Sequence, residues 1–284
     1  MSTGFKEIEE KTLKKLKNTE LEILDEIDRI CKKNDINFFL IGGTLLGAVR
    51  HKGFIPWDDD LDIGMMRDDF IKFTNAVNND LNDKYFFDYF STDKNYHLPF
   101  AKVRKNNTTF DEEASKNFDN HKGIFVDIFP YDYTDDNFKR CFIKATIIQI
   151  LSDTVLVKKK IMKLSSCRHS VVSLLCCVFP ANTILKFIDF LSRKFNGKKE
   201  NYTHVVCFNS LINLKKDYFN INDIFPLKKI QFEKKMYNGL NDNDKFLTVQ
   251  YGDYMQLPPI DERVNHTAIN ISFNEGKNMI NKCK

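Results

Sequence analysis

Four carboxylates, Asp58, Asp59, Asp60 and Asp62, crowd into five consecutive positions shortly after the pair Gly42-Gly43. Carboxylates this close repel one another, and burying one uncompensated charge costs several kcal/mol, so the stretch requires bound cations or solvent. Read as a strand, Asp60-Leu61-Asp62-Ile63 places Asp60 and Asp62 on one face, roughly 6.5–7 Å apart, a separation that suits one divalent cation or a close pair of cations. Asp58 shares that face and Asp59 does not, although a solvated acidic turn is an equal alternative for both. A further acid, Asp127, stands between Val126 and Ile128 in GIFVDIFP, an apolar strand pattern in which a lone charge needs a partner or an ion. So dense an acidic cluster beside apolar residues invites a metal.

Basic and aromatic residues nearby are the candidates for substrate contact. Arg50, in the triplet Arg50-His51-Lys52, has the planar fork to clamp a phosphate, or else it completes a solvated helix end. Lys102 and Arg104 alternate on one strand face and either neutralise an anion or form an ordinary exposed face. In the C-terminal stretch, Asp253 and Arg263 either contact a donor or tie down the tail as a buried ion pair. His266 reads more readily as a hydrogen-bonded structural histidine than as a catalyst, and His97 carries less signal still. Trp57, Tyr96, Tyr131 and Tyr133 offer aromatic faces near the acids in sequence, with packing beneath the acidic loop favoured for Trp57.

The elements that position these residues follow from periodicity. Leu13, Leu16, Ile23, Leu24, Ile27, Ile30 and Cys31 form a helical stripe. Phe38–Ile41 reads as a buried strand stopped by the two glycines, with a helix over Thr44–Arg50 capped by Thr44. A helix follows over Arg67–Val77, and strands over Tyr85–Tyr89, Ala101–Arg104, Thr108–Phe110 and Gly123–Phe129. From Phe138 to about Phe195 the pattern is helical, with basic residues between apolar ones, either a layer packed on the core or a surface touching a membrane. Strands are expected again at His204–Cys207 and Ile230–Met236. Three portions result: a catalytic core over 1–137, a helical insertion over 138–200, and a part completing the core over 201–284. The fold class is α/β (α+β), a mixed sheet with flanking helices and a helical insertion.

Composition narrows the partners. Hydrophobic residues at 42% and charged residues at 29% describe a globular chain, and 43 basic against 39 acidic side chains are too balanced for a dedicated nucleic-acid binder. Seven cysteines without Cys-x-x-Cys spacing suggest neither a zinc site nor a disulfide scaffold. They fit a cytoplasmic setting, peripheral to the inner face of a membrane if the basic helices touch lipid. The first residues lack the apolar core of a signal peptide, and the longest apolar run, Val171–Phe179, is too short to span a bilayer.

A strand ending in Gly-Gly, a short helix, a strand with Asp-x-Asp and a later strand with one more acid resemble the nucleotidyltransferase fold. More closely, GGTLLGAVRHKGFIPWDDDLDIGM, AKVRKNNTTF, GIFVDIFPYD, and YGDYMQLPP with Arg263 and His266 resemble the LicD family in the family's order. That family includes bacterial phosphocholine transferases acting on surface glycans, and related domains occur in fukutin-type ribitol-phosphate transferases. The resemblance implies transfer of phosphocholine from CDP-choline to a sugar hydroxyl of a teichoic acid, lipopolysaccharide or related glycan, free or lipid-linked, with release of CMP. Transfer of ribitol phosphate or glycerol phosphate from the matching CDP-alcohol is the alternative, and a catalytically silent nucleotide-binding or scaffold domain is the second. It implies Mg²⁺, with Mn²⁺ as the alternative, on Asp60, Asp62, Asp127 and Asp58. Asp127 is either ligand or proton acceptor. Gly42, Gly43, Thr44, Arg50, Trp57, Lys102, Arg104, Asp253, Arg263 and His266 fall on the substrate side.

Overall fold

The computed structural model describes residues 8–112, 120–162, 169–194, 202–208, 214–263 and 268–273. The apolar stripe near the N-terminus forms helix α1 (Glu10–Lys33), and Leu16, Ile23, Leu24, Ile27 and Ile30 on it are fully buried. Its inward face covers a sheet because spacing of three and four keeps those side chains on one side of the helix. Strand β1 (Phe39–Leu40) leads directly into helix α2 (Gly42–His51), then come β2 (Asp62–Met66), α3 (Arg67–Asp80), β3 (Tyr85–Asp88), β4 (Ala101–Lys105), β5 (Thr109–Glu112) and β6 (Phe125–Thr134).

The main sheet runs β1-β2-β6-β4-β3. Strands β2 and β6 pair in parallel, with Asp62 opposite Asp127, while β4 pairs antiparallel to β6 with Lys102 opposite Asp127. Helices α4 (Phe138–Lys158), α5 (His169–Val178) and α6 (Ala181–Lys194) follow β6 and precede β7 (His204–Val206), which pairs back onto the end of β6. The helical layer is therefore inserted between two neighbouring strands of one sheet. Strand β8 (Tyr218–Asn220) extends that edge, α7 (Ile221–Ile224) follows it, β9 (Lys228–Phe232) and β10 (Lys235–Gly239) form a hairpin, and α8 (Asn243–Tyr251) packs near α2. Strand β11 (Ala268–Ser272) pairs with β5, so the C-terminal portion interleaves with the first one.

Four local expectations need correction. Helix α2 starts at Gly42, which takes φ +53°, and Thr44 is not its cap: its hydroxyl instead accepts the Asp62 amide N–H at 2.8 Å. Strand β2 starts at Asp62, so Asp60 sits on the preceding loop, because ladder pairing with β1 and β6 begins only there. Residues 230–236 are a hairpin turning at Glu233-Lys234, not one strand. The face carrying Lys102 and Arg104 is buried, since each meets an acid from a neighbouring strand.

One buried ion pair ties the insertion to the sheet. Arg67, at the start of α3, donates to Asp132 of β6 through Nε (2.8 Å) and a terminal nitrogen (2.6 Å), and its other terminal nitrogen reaches Asp189 of α6 at 3.1 Å. Arg67 and Asp132 are almost wholly shielded from solvent, so removing the guanidinium strands a buried carboxylate. Arg67→Met should lower the unfolding free energy by about 3–5 kcal/mol in urea titrations. A loss below about 1 kcal/mol would show that Asp132 is not stranded when the guanidinium is removed.

Candidate active site

The acids converge at the N-terminal end of α2. Strand register sets Asp62 and Asp127 side by side, and at a strand spacing of ~4.8 Å two ionised carboxylates repel by about 3 kcal/mol in a medium of effective dielectric ~20. Lys102, on the other side of β6, answers part of this: its Nζ lies 2.6 Å and 3.0 Å from the two Asp127 carboxylate oxygens and 3.5 Å from the centre of the Phe125 ring. The glycines clear the space the acids need. A Cβ at Gly42 would lie 3.2 Å from Asp62 Oδ2, and one at Gly43 only 2.8 Å from Asp58 Oδ2. Both carboxylates thus press against the first turn of α2, where unsatisfied N–H groups favour negative charge.

Asp62 has its pKa raised well above the ordinary carboxylate range, first by burial and then by Asp60, Asp127 and Asp58, with Lys102 opposing. Asp60 therefore belongs to the group despite lying outside the strand. Asp59 is buried and, like Asp60 and Asp58, bears on Glu20 of α1. As they lie, no three acidic, histidine or cysteine side chains among the described residues enclose an ion. The donor types nonetheless suit a hard divalent cation: carboxylate oxygens of Asp60, Asp62 and Asp127 beside two glycines that leave no Cβ in the way.

Glu20, Lys17 and Tyr251 belong here and were missed in the sequence. Glu20 is 2% exposed, its Oε2 makes no hydrogen bond, and burial pushes its carboxyl well up, with Asp60, Asp59 and Asp58 adding to the shift. The signal was present, because position 20 falls on the Leu16–Ile23–Leu24 stripe and so points inward. Lys17 binds the carbonyls of Ile55 and Pro56, both at 2.9 Å, and burial lowers its pKa against the pull of Asp58 and Glu20. Tyr251 exposes 45% of its surface, yet its hydroxyl end is enclosed, 3.8 Å from where a Gly42 Cβ would stand. Burial, then Asp62, Asp58 and Asp60, raises its pKa, so it stays protonated and able to donate.

The remaining predicted contacts divide. Arg50 lies at the far end of α2, roughly 12 Å along the helix from Gly42, with one terminal nitrogen on the Tyr254 carbonyl at 2.6 Å. Burial and the neighbouring Arg263 lower its pKa, which places two guanidiniums together. Arg263 donates to the Pro258 carbonyl at 3.0 Å and lies 4.8 Å over the Trp57 ring. Asp253 is exposed and makes no ion pair with Arg263, so the buried tail bridge is not formed. Arg104 is held away from the acids by Asp88 (2.5 Å) and the Gly123 carbonyl (3.0 Å). Tyr96 and Tyr131 are core residues and Tyr133 stacks on Tyr202, leaving no open aromatic cage from these three. His97 is half-buried, and desolvation of its ring, with Lys102 adding to it, takes its pKa down to about 3. His266 lies outside the described residues.

A mixed sheet carrying two register-matched aspartates at the mouth of a glycine-led helix defines a nucleotidyltransferase-type domain, and residues 35–174 match the family of LicD/FKTN/FKRP nucleotidyltransferase domains. The chain thus carries a domain of the LicD/FKTN/FKRP family over those residues. It is 28% identical over 267 residues to the lipopolysaccharide cholinephosphotransferase LicD of Haemophilus influenzae, covering 87% of this chain and 92% of that protein. It is 50% identical over 34 residues to the ribitol 5-phosphate transferase FKRP of human and of mouse, a match that takes in 7% of those proteins.

Asp62 provides a direct test of the site's electrostatics. Its raised folded-state pKa means that its favourable contribution is complete below the unfolded value of 3.8 and is lost as pH rises through the folded value. In metal-free buffer Asp62→Asn should therefore melt above the parent at pH ~8, and the advantage should vanish toward pH ~4. Melting curves that stay parallel across that range would contradict the crowding.

Proposed function

We propose that the protein is a Mg²⁺-dependent phosphotransferase that moves phosphocholine from CDP-choline to a sugar hydroxyl of a surface glycan and releases CMP. The observation that carries the reading is the Asp62–Asp127 register pair at the glycine-led N-terminus of α2, inside the matched LicD domain. The relative that spans nearly the whole chain is named as a cholinephosphotransferase, which favours choline in the donor. The short FKRP match supports a CDP-ribitol donor as a second reading. The buried positions of Tyr96 and Tyr131 withdraw two of the aromatic faces that a choline cage would use.

Asp60, Asp62 and Asp127 would hold the metal, with Asp58 adding charge from the Gly43 side. Bound Mg²⁺ supplies Lewis-acid neutralisation of the phosphate oxygens. The first-turn N–H groups of α2 bind phosphate at a helix end whose dipole favours anions. Lys102 adds positive charge beside Asp127, whose register position opposite Asp62 favours the ligand role over that of proton acceptor. Arg50 and Arg263, close enough to repel each other, make a doubly cationic spot suited to the nucleotide's phosphates, and Trp57 lies under it.

The test is CMP release by the purified protein with Mg²⁺, glycan acceptors and CDP-choline, CDP-ribitol or CDP-glycerol in turn. Acceptor-dependent CMP is expected with CDP-choline, and Asp60→Asn should cut it at least about a hundredfold while the melting temperature holds. No acceptor-dependent CMP from any donor would sink the transferase reading and leave a silent binding domain. Gly43→Ala pushes a methyl group against the Asp58 carboxylate, so it should weaken Mg²⁺ binding in calorimetry while the helix itself is retained. Unchanged Mg²⁺ affinity would remove Asp58 from the site.

A further inference from the structure

Charge is unevenly distributed along this chain. Residues 138–200 hold 13 basic and 3 acidic side chains, whereas the rest holds 30 basic and 36 acidic, so a strongly cationic layer is attached to an anionic body. The same layer carries large exposed apolar side chains: Phe142, Ile143 and Ile147 on α4, Leu174 on α5, and Phe187 and Phe190 on α6, each 45–65% exposed. Their positions are opposite the buried stripes. On α6, Ile184, Leu185 and Ile188 face the core, and Lys186, Phe187, Phe190 and Lys194 share the outward side. On α4, Cys141, Ile148 and Leu151 face inward, while Lys139, Arg140, Ile143 and Ile147 face out. The rings of Phe187 and Phe190 stack with centroids 6.2 Å apart, and Lys194 leans over Phe190.

We infer that the outer face of α4–α6 seats the protein on an anionic membrane surface, its aromatic and aliphatic side chains entering the headgroup region and its lysines and arginines meeting lipid phosphates. Exposed apolar groups mixed with cations on a helix face are the chemistry of interfacial binding. Apolar exposure alone would equally suit a second copy of the chain, but a face this cationic would repel its own copy. The geometry is that of lying on a bilayer. No single helix among the described residues is long and apolar enough to cross one, and the α5–α6 pair is bent by 114°, with α6 committed to the core on its other side. This surface goes beyond the phosphotransferase reading and does not rest on it.

The full chain is sedimented with vesicles of phosphatidylcholine alone and with vesicles containing roughly a third phosphatidylglycerol. Binding to the anionic vesicles should be at least about tenfold tighter and should weaken with added salt. Two variants, both at exposed positions, separate the contributions: Ile143→Ser with Phe187→Ser and Phe190→Ser, and Lys139→Glu with Lys186→Glu and Lys194→Glu. With unchanged circular dichroism, each should reduce binding about tenfold or more. Equal binding to both vesicle types, no binding, or binding untouched by either variant set overturns the inference. So does a wild-type dimer in ultracentrifugation that the apolar variant dissolves, since a second copy would then cover the face. Vesicle binding requires no turnover, and CMP release on a soluble acceptor should be the same in both variants, so this inference and the transfer reading fail separately.

Discussion

Parallel pairing of β2 with β6 sets Asp62 beside Asp127, and that like-charge juxtaposition is the constraint to which the surrounding structure answers. Backbone hydrogen bonds fix it, so the carboxylates cannot separate without breaking the ladder. Compensation therefore comes from outside the pair. Lys102 reaches Asp127 from the next strand, and the Asp62 and Asp58 carboxylates lie against the first turn of α2, at the positive end of its dipole. Thr44 holds the Asp62 backbone N–H, so the strand bearing the acid and the helix facing it are joined at one hydrogen bond. An arrangement that costs stability in this way is retained where a cation or phosphate chemistry uses it.

Distant parts of the chain converge to support this end of the sheet. Glu233, in the β9–β10 turn, accepts the Phe54 N–H, and its carboxylate occupies the space a Gly53 Cβ would need. Lys17 of α1 fixes the carbonyls of Ile55 and Pro56, and Arg50 fixes that of Tyr254. The C-terminal stretch thus acts first as a clamp, with Arg263 over Trp57 and Arg50 on the Tyr254 carbonyl holding the far end of α2 and the loop that leads to the acids.

Local periodicity made much of this legible in the sequence. The α1 stripe, the apolar strand around Asp127 and the helical insertion all appear close to where their patterns placed them. What sequence could not show was which charges end up buried. Lys102 and Arg104 alternate as exposed residues would, and only Asp127 and Asp88 on neighbouring strands make their burial tolerable. Asp60 and Asp62 alternate as well, but ladder pairing begins at Asp62, and no local signal marks where a strand acquires its partner. Glu20 was readable from its place on an apolar stripe, yet a single acid there stands out only once the acids it faces are known.

The displacement of Asp60 from the strand divides the acids into two mechanical classes. Asp62 and Asp127 are set by ladder register and move only with the sheet, whereas Asp58 and Asp60 ride on a loop whose backbone is pinned upstream through Ile55 and Pro56. A ladder-held pair gives a fixed span, and loop-borne carboxylates adjust to whatever lies across it. Under the proposed Mg²⁺-dependent reading, a small hard cation would meet fixed donors from the strands and others from the loop, so the site would close on it without straining the sheet. The same division explains why the glycines face the loop acids as well as the strand acid. Gly43 leaves room for Asp58 on the loop, and Gly42 leaves room for Asp62 on the strand.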